Sequence, residues 1–383
     1  MLSAWWLASL LAAAQPAVVS GDQVPLGPIA WADGGRRLAF VASSASEPAW
    51  YVTDLADGAQ PAEVRWDPRP ESAFRVWWHP DGSRVAYPAR RDGQRVMLIG
   101  GIDGEEPMTF AVIGNVNPVE AAWSPDGRML AFGLRAEQGA AQPYELFYCE
   151  ANGAHGAHVP LDAAPVGLAW SRNAKRLAFC TQSLGRTILF TCDLDQSIAR
   201  SVSAHLTVTP GSVAWSTDNL SLAFNGALDP TKGRRLFVSR AVGQMAADRV
   251  ERPGYVADAP AVYSDDGQWL AWTVGPQGEP SPAPLVLGRV RAPSLAARVS
   301  PGNAAEPAFS PDSEWLAFTA FDSTTPRRTR VVALRPSQPD QLATVDAGPN
   351  ASHPVFSPTG DKLAWLSGSA EKPCVKVVAW PPN

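Results

Sequence analysis

Four side chains able to carry a charge or move a proton share one place in a repeating pattern: Arg75, Glu120, Glu306 and His353. Each stands three residues before an aromatic, respectively Trp78, Trp123, Phe309 and Phe356. Two carboxylates such as Glu120 and Glu306, held about 5–10 Å apart, would suit cleavage of a glycosidic bond, one as acid and the other as nucleophile or base. Gathered without that spacing, the four groups would instead hold a polar partner. Other chemistries lack their residues. The chain has no Gly-x-Ser-x-Gly nucleophile elbow, no Gly-x-x-x-x-Gly-Lys phosphate loop and no His-Glu-x-x-His helix. Of the histidines, His79, His155, His158, His205 and His353, only His353 occupies the shared position, so neither a metal site nor a cofactor is expected.

What positions these residues is the repeat itself. Its aromatic recurs as Trp31, Trp78, Trp123, Trp170, Trp215, Tyr263, Phe309 and Phe356, at spacings of 45 to 48 residues. Nine positions later comes a second aromatic, Phe40, Tyr87, Phe132, Phe179, Phe224, Trp272, Phe318 or Trp365, and in every copy an alanine precedes it. A constant internal offset within a slightly variable period marks a repeat architecture. Each copy reads as a hairpin: a strand ending at the first aromatic, a tight Ser-Pro-Asp-Gly type of turn, then a strand ending in Leu-Ala-Phe. The last turn position is Gly35, Gly82, Gly127, Gly267, Gly360 or Asn219, residues that tolerate a left-handed backbone. Ala174 and Ser313 break that rule, so their turns should be strained or differently built. Leu and Phe should face one side of the sheet and Ala the other, with both sides covered. A third apolar strand follows in most copies, as in Trp50-Tyr51-Val52 and Glu145-Leu146-Phe147-Tyr148, and a weaker fourth in Ala62-Glu63-Val64-Arg65-Trp66. Four short strands per period of this length make the blade of a β-propeller. The expected fold is all-β, an eight-bladed β-propeller of four-stranded antiparallel blades. The last copy is one strand short, and Ala17-Val18-Val19-Ser20 is expected to complete it, closing the ring and removing an open sheet edge.

The turn and strand that follow it carry a resemblance. Ser124-Pro125-Asp126-Gly127, Ser310-Pro311-Asp312 and the succeeding Leu-Ala-Phe resemble the TolB-like propeller repeat, a WD40-like element marked by its Pro-Asp pair, with Glu306-Pro307-Ala308-Phe309-Ser310-Pro311-Asp312 the nearest match. The likeness covers residues 28 to 380. It implies a propeller blade and is unspecific for activity. The chain departs from TolB itself, which has six blades behind an α/β domain, whereas this sequence supplies eight repeats and no room for such a domain. It also lacks the Gly-His and Trp-Asp pairs of true WD40 blades.

The rest of the chain sets limits on partners. Residues Met1 to Gly21 carry no charged side chain, and the apolar run Trp5 to Ala14 is too short to span a membrane. It suits a secretory signal over residues 1–14 with Ala12-Ala13-Ala14 at the cleavage site, leaving 15–383 as a single propeller domain. The expected location is periplasmic or secreted. A net charge of −5, with Arg90-Arg91, Arg234-Arg235 and Arg327-Arg328 as isolated basic pairs, supplies no basic surface for nucleic acid. Cys149, Cys180, Cys192 and Cys374 match no zinc spacing. Cys180 and Cys192 lie on two arms of one hairpin around Gly185, so a disulfide between them competes with buried free thiols. Taken together, these residues indicate an exported, non-catalytic binding platform for a protein or cell-envelope polymer. A propeller enzyme of the polysaccharide lyase or glycosidase type, with its site at the channel mouth, is the alternative. The face carrying Arg75, Glu120, Glu306 and His353 is the expected binding face, because the turns opposite are near copies while entry segments such as Asp67-Pro68-Arg69-Pro70-Glu71 and Thr207-Val208-Thr209-Pro210 differ.

Overall fold

The structure is a computed structural model. It describes residues 16–43, 48–56, 60–73, 76–103, 106–114, 118–135, 143–183, 185–203, 205–229, 233–241, 248–249, 255–256, 260–275, 283–321, 329–346, 350–369 and 372–381. The expected signal segment and Arg75 lie outside these residues. Two compact units divide the chain, one of Met1–Val64 with Val262–Asn383, the other of Arg65–Ala261. Among the described residues there is no α-helix, and each unit is built from antiparallel sheets.

Every hairpin forms in the same register. The first aromatic pairs with the residue seven positions on, as Trp31↔Leu38, Trp123↔Leu130, Trp170↔Leu177, Phe309↔Leu316 and Phe356↔Leu363, and likewise Trp78↔Val85, Trp215↔Leu222 and Tyr263↔Leu270. In the second unit one such sheet runs Pro118–Trp123, Met129–Arg135, Tyr144–Glu150 and Ala157–Leu161, in that order. Val166–Trp170, Arg176–Ser183, Arg186–Asp193 and Ile198–Ser201 repeat it. In the first unit the 18-residue strand Ala292–Phe309 serves two sheets, pairing with Ala283–Arg289 on one side and Leu316–Phe321 on the other.

Alternation along the second strand decides how sheets stack. Leu130 and Phe132 point into one apolar cluster with Ala86 of the preceding repeat, while Ala131 points the other way into a cluster with Leu177 and Phe179 of the following one. Ala178 then meets Leu222 and Phe224. In the first unit Ala317 meets Leu363 and Trp365, and Ala364 meets Leu38 and Phe40. Each alanine is therefore a flat seat for the large side chains of the next sheet. Burying one such Leu or Phe contributes about 1.5–3 kcal/mol. Within a sheet, the second aromatic pairs across the ladder with an aromatic of the third strand: Phe132 with Phe147 at 5.0 Å and Phe179 with Phe190 at 5.7 Å between ring centroids. Between sheets, indole N–H groups donate to the carbonyl just before the preceding repeat's aromatic, from Trp123 to Trp77 (2.9 Å), Trp170 to Ala122 (2.9 Å), Trp215 to Ala169 (2.8 Å) and Trp31 to Val355 (3.2 Å).

The turns are locked by a buried serine. Ser124 Oγ accepts from Met129 N at 2.9 Å and donates to Asp126 Oδ1 at 2.6 Å, and Asp126 in turn accepts from Arg128 N. Ser171, Ser216, Ser264, Ser310 and Ser357 accept from the N–H five residues on in the same way. Burial would raise the Asp126 carboxyl, but the Ser124 hydroxyl and Arg128 N–H outweigh it and hold the group below its ordinary 3.8. Where His79 replaces the serine, its Nδ1 lies 2.6 Å from Asp81 Oδ1 and its Nε2 3.0 Å from Gly127 O. A Cβ at Gly127, whose φ is +70°, would stand 2.1 Å from that imidazole.

Three sequence expectations meet the structure here. The segment before the first repeat does pair with the last sheet, Ala17 opposite Val377 and Val18 opposite Lys376, with Val19 N donating to Val375 O at 3.0 Å. The turns of Ala174 and Ser313 are built like the others and take the strain, at φ +56° and +61°. The disulfide is a correction. Cys180 pairs across the ladder with Leu189 and Cys192 with Leu177, an offset of three residues, or about 10 Å along the strand. The two thiols also face opposite sides, Cys180 toward Trp215 and Cys192 toward Trp170. Both are buried and free, and burial pushes them up to about 12 and about 11.

Three substitutions test this account. Ala174→Gly relieves a left-handed alanine and should raise stability by about 1 kcal/mol in denaturant titration. Ser313→Gly should give no such gain, because Ser313 Oγ accepts from Asp266 N at 2.9 Å. Ala131→Leu, which fills the seat for Leu177 and Phe179, should cost about 1–3 kcal/mol by the same titration.

Candidate functional site

The position three residues before each first aromatic lies where the innermost strand enters its sheet. In five repeats the ladder slips there: between Pro25 and Ile29, Pro118 and Ala121, Val166 and Ala169, Ala305 and Ala308, and Ser352 and Val355. A bulge of this kind releases one residue from pairing and re-aims its side chain. Gly167, Glu306 and His353 take left-handed backbone at this point, with φ of +67°, +56° and +56°. For Gly167 glycine is required, since a Cβ would stand 2.5 Å from Gly211 N. For Glu306 and His353 the conformation costs about 1–2 kcal/mol apiece, a strain that surrounding bonds must offset.

Those bonds run between the two residues. In the first unit, Glu306 Oε2 accepts from His353 N at 2.7 Å and from Thr319 Oγ1 at 2.8 Å, while Glu306 Oε1 lies 3.0 Å from His353 Nε2. The Glu306 side chain is 35% exposed and that of His353 58%, so the pair stands open to solvent at the mouth of two neighbouring sheets. His353 Nδ1 faces Ser352 Oγ at 3.1 Å. Asn350, also left-handed, donates through Nδ2 to Gly368 O at 3.0 Å beside it. One corner of the first unit thus holds four linked polar side chains: Thr319, Glu306, His353 and Ser352.

Glu120 does comparable work in the second unit. Its carboxylate accepts from Gly167 N at 2.6 Å and Leu168 N at 3.2 Å, clamping the entry of the next sheet. Burial dominates its electrostatics and keeps the carboxyl above its ordinary 4.5 despite both N–H donors. Of the four residues read from the sequence, the structure therefore joins Glu306 and His353 and gives Glu120 a partner in the next repeat. The sequence reading missed Thr319 and Ser352. The available signal was slight: Ser352 adjoins His353, and Thr319 follows the Leu-Ala-Phe strand of the repeat that holds Glu306. Among the described residues, no group of three or more His, Cys, Asp or Glu is placed to hold a metal ion, and no helix is long and apolar enough to cross a membrane.

The clamp at Glu120 yields a pH prediction. A carboxyl raised in the folded state binds its proton there more readily than in the unfolded chain. Stability from this residue therefore falls as pH rises from 4.5 through the raised folded value and is flat above it. Glu120→Gln should remove that slope. It should also cost about 1–2 kcal/mol at neutral pH, because one of the two N–H donors loses its acceptor. Thermal melts from pH 4 to 8 on both proteins check both effects.

No family model matches the chain. No curated protein matches it either. Solved structures do match it, in number. A eukaryotic initiation factor superposes with a TM-score of 0.61 at 14% identity, covering 94% of this chain and 87% of that one. An oligogalacturonate lyase in complex with manganese gives 0.58 at 13%, covering 96% of both chains. TolB from Acinetobacter baumannii, at 0.41 and 13%, covers 81% of this chain and 80% of its own. At identities this low, the first two likenesses speak for the architecture alone, and with the antiparallel sheets described above they make this chain a β-propeller.

Proposed function

We propose that the chain is an exported binding platform, residues 15–383 forming one propeller domain after a signal over 1–14, and that its entry face meets a protein or an envelope polymer. The observation carrying this reading is the contrast between the two ends of the sheets. At the turn end, serine and aspartate side chains are consumed inside their own turns. At the entry end, side chains differ from repeat to repeat, and the His353–Glu306 pair is presented to solvent on a bulged, left-handed backbone. Binding residues tend to sit on segments held out by a rigid scaffold. Arg75 joins the proposed face by its place in the repeat.

A second reading has its own support. Over 96% of both chains the fold resembles oligogalacturonate lyase, whose name makes it an enzyme that cleaves oligogalacturonate. On this reading the entry face would cleave an acidic polysaccharide rather than hold it.

The test uses the exported protein, cross-linked in place and isolated with its partner. The double variant Arg75→Ala with His353→Asn should weaken capture at least about tenfold, and added salt should weaken the wild type similarly, as exposed charge contacts are screened. Arg128→Ala, on the turn face, should leave capture unchanged. The opposite pattern would place the binding face at the turns. Release of new chain ends from a uronate polymer, lost in His353→Asn, would favour the enzyme.

A further inference from the structure

The order of bonds in the corner described above has a chemical meaning that binding does not require. Glu306 Oε1 lies 3.0 Å from His353 Nε2 and Ser352 Oγ lies 3.1 Å from His353 Nδ1. A carboxylate can only accept, so it places the ring proton of a neutral imidazole on Nε2. That leaves the Nδ1 lone pair aimed at the Ser352 hydroxyl. A carboxylate within ion-pair reach of one ring nitrogen, with a hydroxyl hydrogen-bonded to the other, is the order of groups that activates a serine nucleophile, recognised by geometry and roles rather than by fold or chain order. The relay is also held in place. Glu306 is fixed from its second oxygen by His353 N (2.7 Å) and Thr319 Oγ1 (2.8 Å), so the carboxylate cannot turn away from the ring. Both Glu306 and His353 adopt strained left-handed backbone at φ +56°, and strain of this kind collects at functional sites. The imidazole is more than half exposed, which leaves a path for a substrate.

We propose that Ser352, His353 and Glu306 form an acyl-transfer site that acts on carboxylic esters. Ser352 Oγ forms a bond to the carbonyl carbon as its proton passes to His353 Nδ1. The C–O bond to the leaving alcohol then breaks, and the alcohol departs with that proton. Water attacks the resulting Ser352 ester, gives a proton to Nδ1, and releases the acid as the proton returns to Oγ. Glu306 keeps Nε2 protonated and stabilises the imidazolium formed in each half. No redox partner or metal enters the balance. This activity is independent of the binding reading, which concerns the whole entry face.

The test treats the full-length protein with a fluorophosphonate, which bonds to an activated serine with loss of fluoride, and maps the adduct by peptide mass spectrometry. In parallel, p-nitrophenyl acetate hydrolysis is followed. The expected result is a single adduct on Ser352 and ester turnover above the buffer rate, both lost in Ser352→Ala. His353→Asn, which keeps a residue tolerant of left-handed backbone, should lower both rates at least about 100-fold, the scale of a lost general base. Melting curves confirm that each variant is folded. Ser352→Ala removes only a hydroxyl at a half-buried position, so it keeps the question decidable even if His353→Asn unfolds. Absence of an adduct on wild-type Ser352 would overturn the proposal. So would hydrolysis that survives Ser352→Ala, or labelling unchanged in a folded His353→Asn protein.

Discussion

The contact on which the rest depends is an alanine face against a leucine and an aromatic. Neighbouring sheets share that apolar contact and an indole-to-carbonyl bond, and side-chain bonds such as Glu120 to Gly167 and Ser313 to Asp266 N add to them. Alanine holds the backbones of adjacent sheets close, so the large side chains reach across and bury fully, as Phe132, Phe179 and Phe224 do. Close approach is also what brings the entry of one innermost strand within hydrogen-bond reach of the next. Glu120 touches Gly167, and Glu306 touches His353, only because the spacing is set deeper in the sheets.

From that spacing the two ends of each sheet diverge. At the turn end the chain must reverse in few residues, and serine and aspartate satisfy the backbone locally. At the entry end it arrives from the previous sheet, and a bulge absorbs the difference in length. The bulge frees side chains from the ladder without freeing the backbone. Charged groups can then sit between sheets, where one carboxylate serves two neighbours at once.

Much of this was legible in the sequence, because the repeat states it eight times. The register of each hairpin follows from the fixed offset between Trp123 and Leu130 and its counterparts, and the pairing of Ala17 with Val377 from a last repeat one strand short. What stayed hidden depends on geometry that one-dimensional spacing does not carry. Cys180 and Cys192 sit on two arms of a hairpin, yet the ladder sets them three places apart and on opposite faces. Whether Ala174 would deform its turn or accept positive φ depends on how firmly Ser171 and Asn173 hold the backbone around it. The corner around His353 was half visible. Glu306 and His353 share a place in the repeat, but Ser352 and Thr319 reach them only through the bulge and the neighbouring strand.

The bond between Val375 N and Ser20 Oγ spans 355 residues of chain. Among the described strands Ala17–Val18 comes first in the chain and its partner Pro373–Ala379 last, so their pairing closes over the whole length between them. Loop-closure entropy grows only logarithmically with length, about 0.6 kcal/mol for each doubling, so the distance itself is a modest thermodynamic burden. The kinetic consequence is larger. Until Ala17 and Val18 arrive, the Pro373–Ala379 strand carries a row of unpaired amides that any other extended segment can occupy. A copy whose Pro373–Ala379 edge is not yet covered by Ala17 and Val18 offers that edge to a strand of another copy.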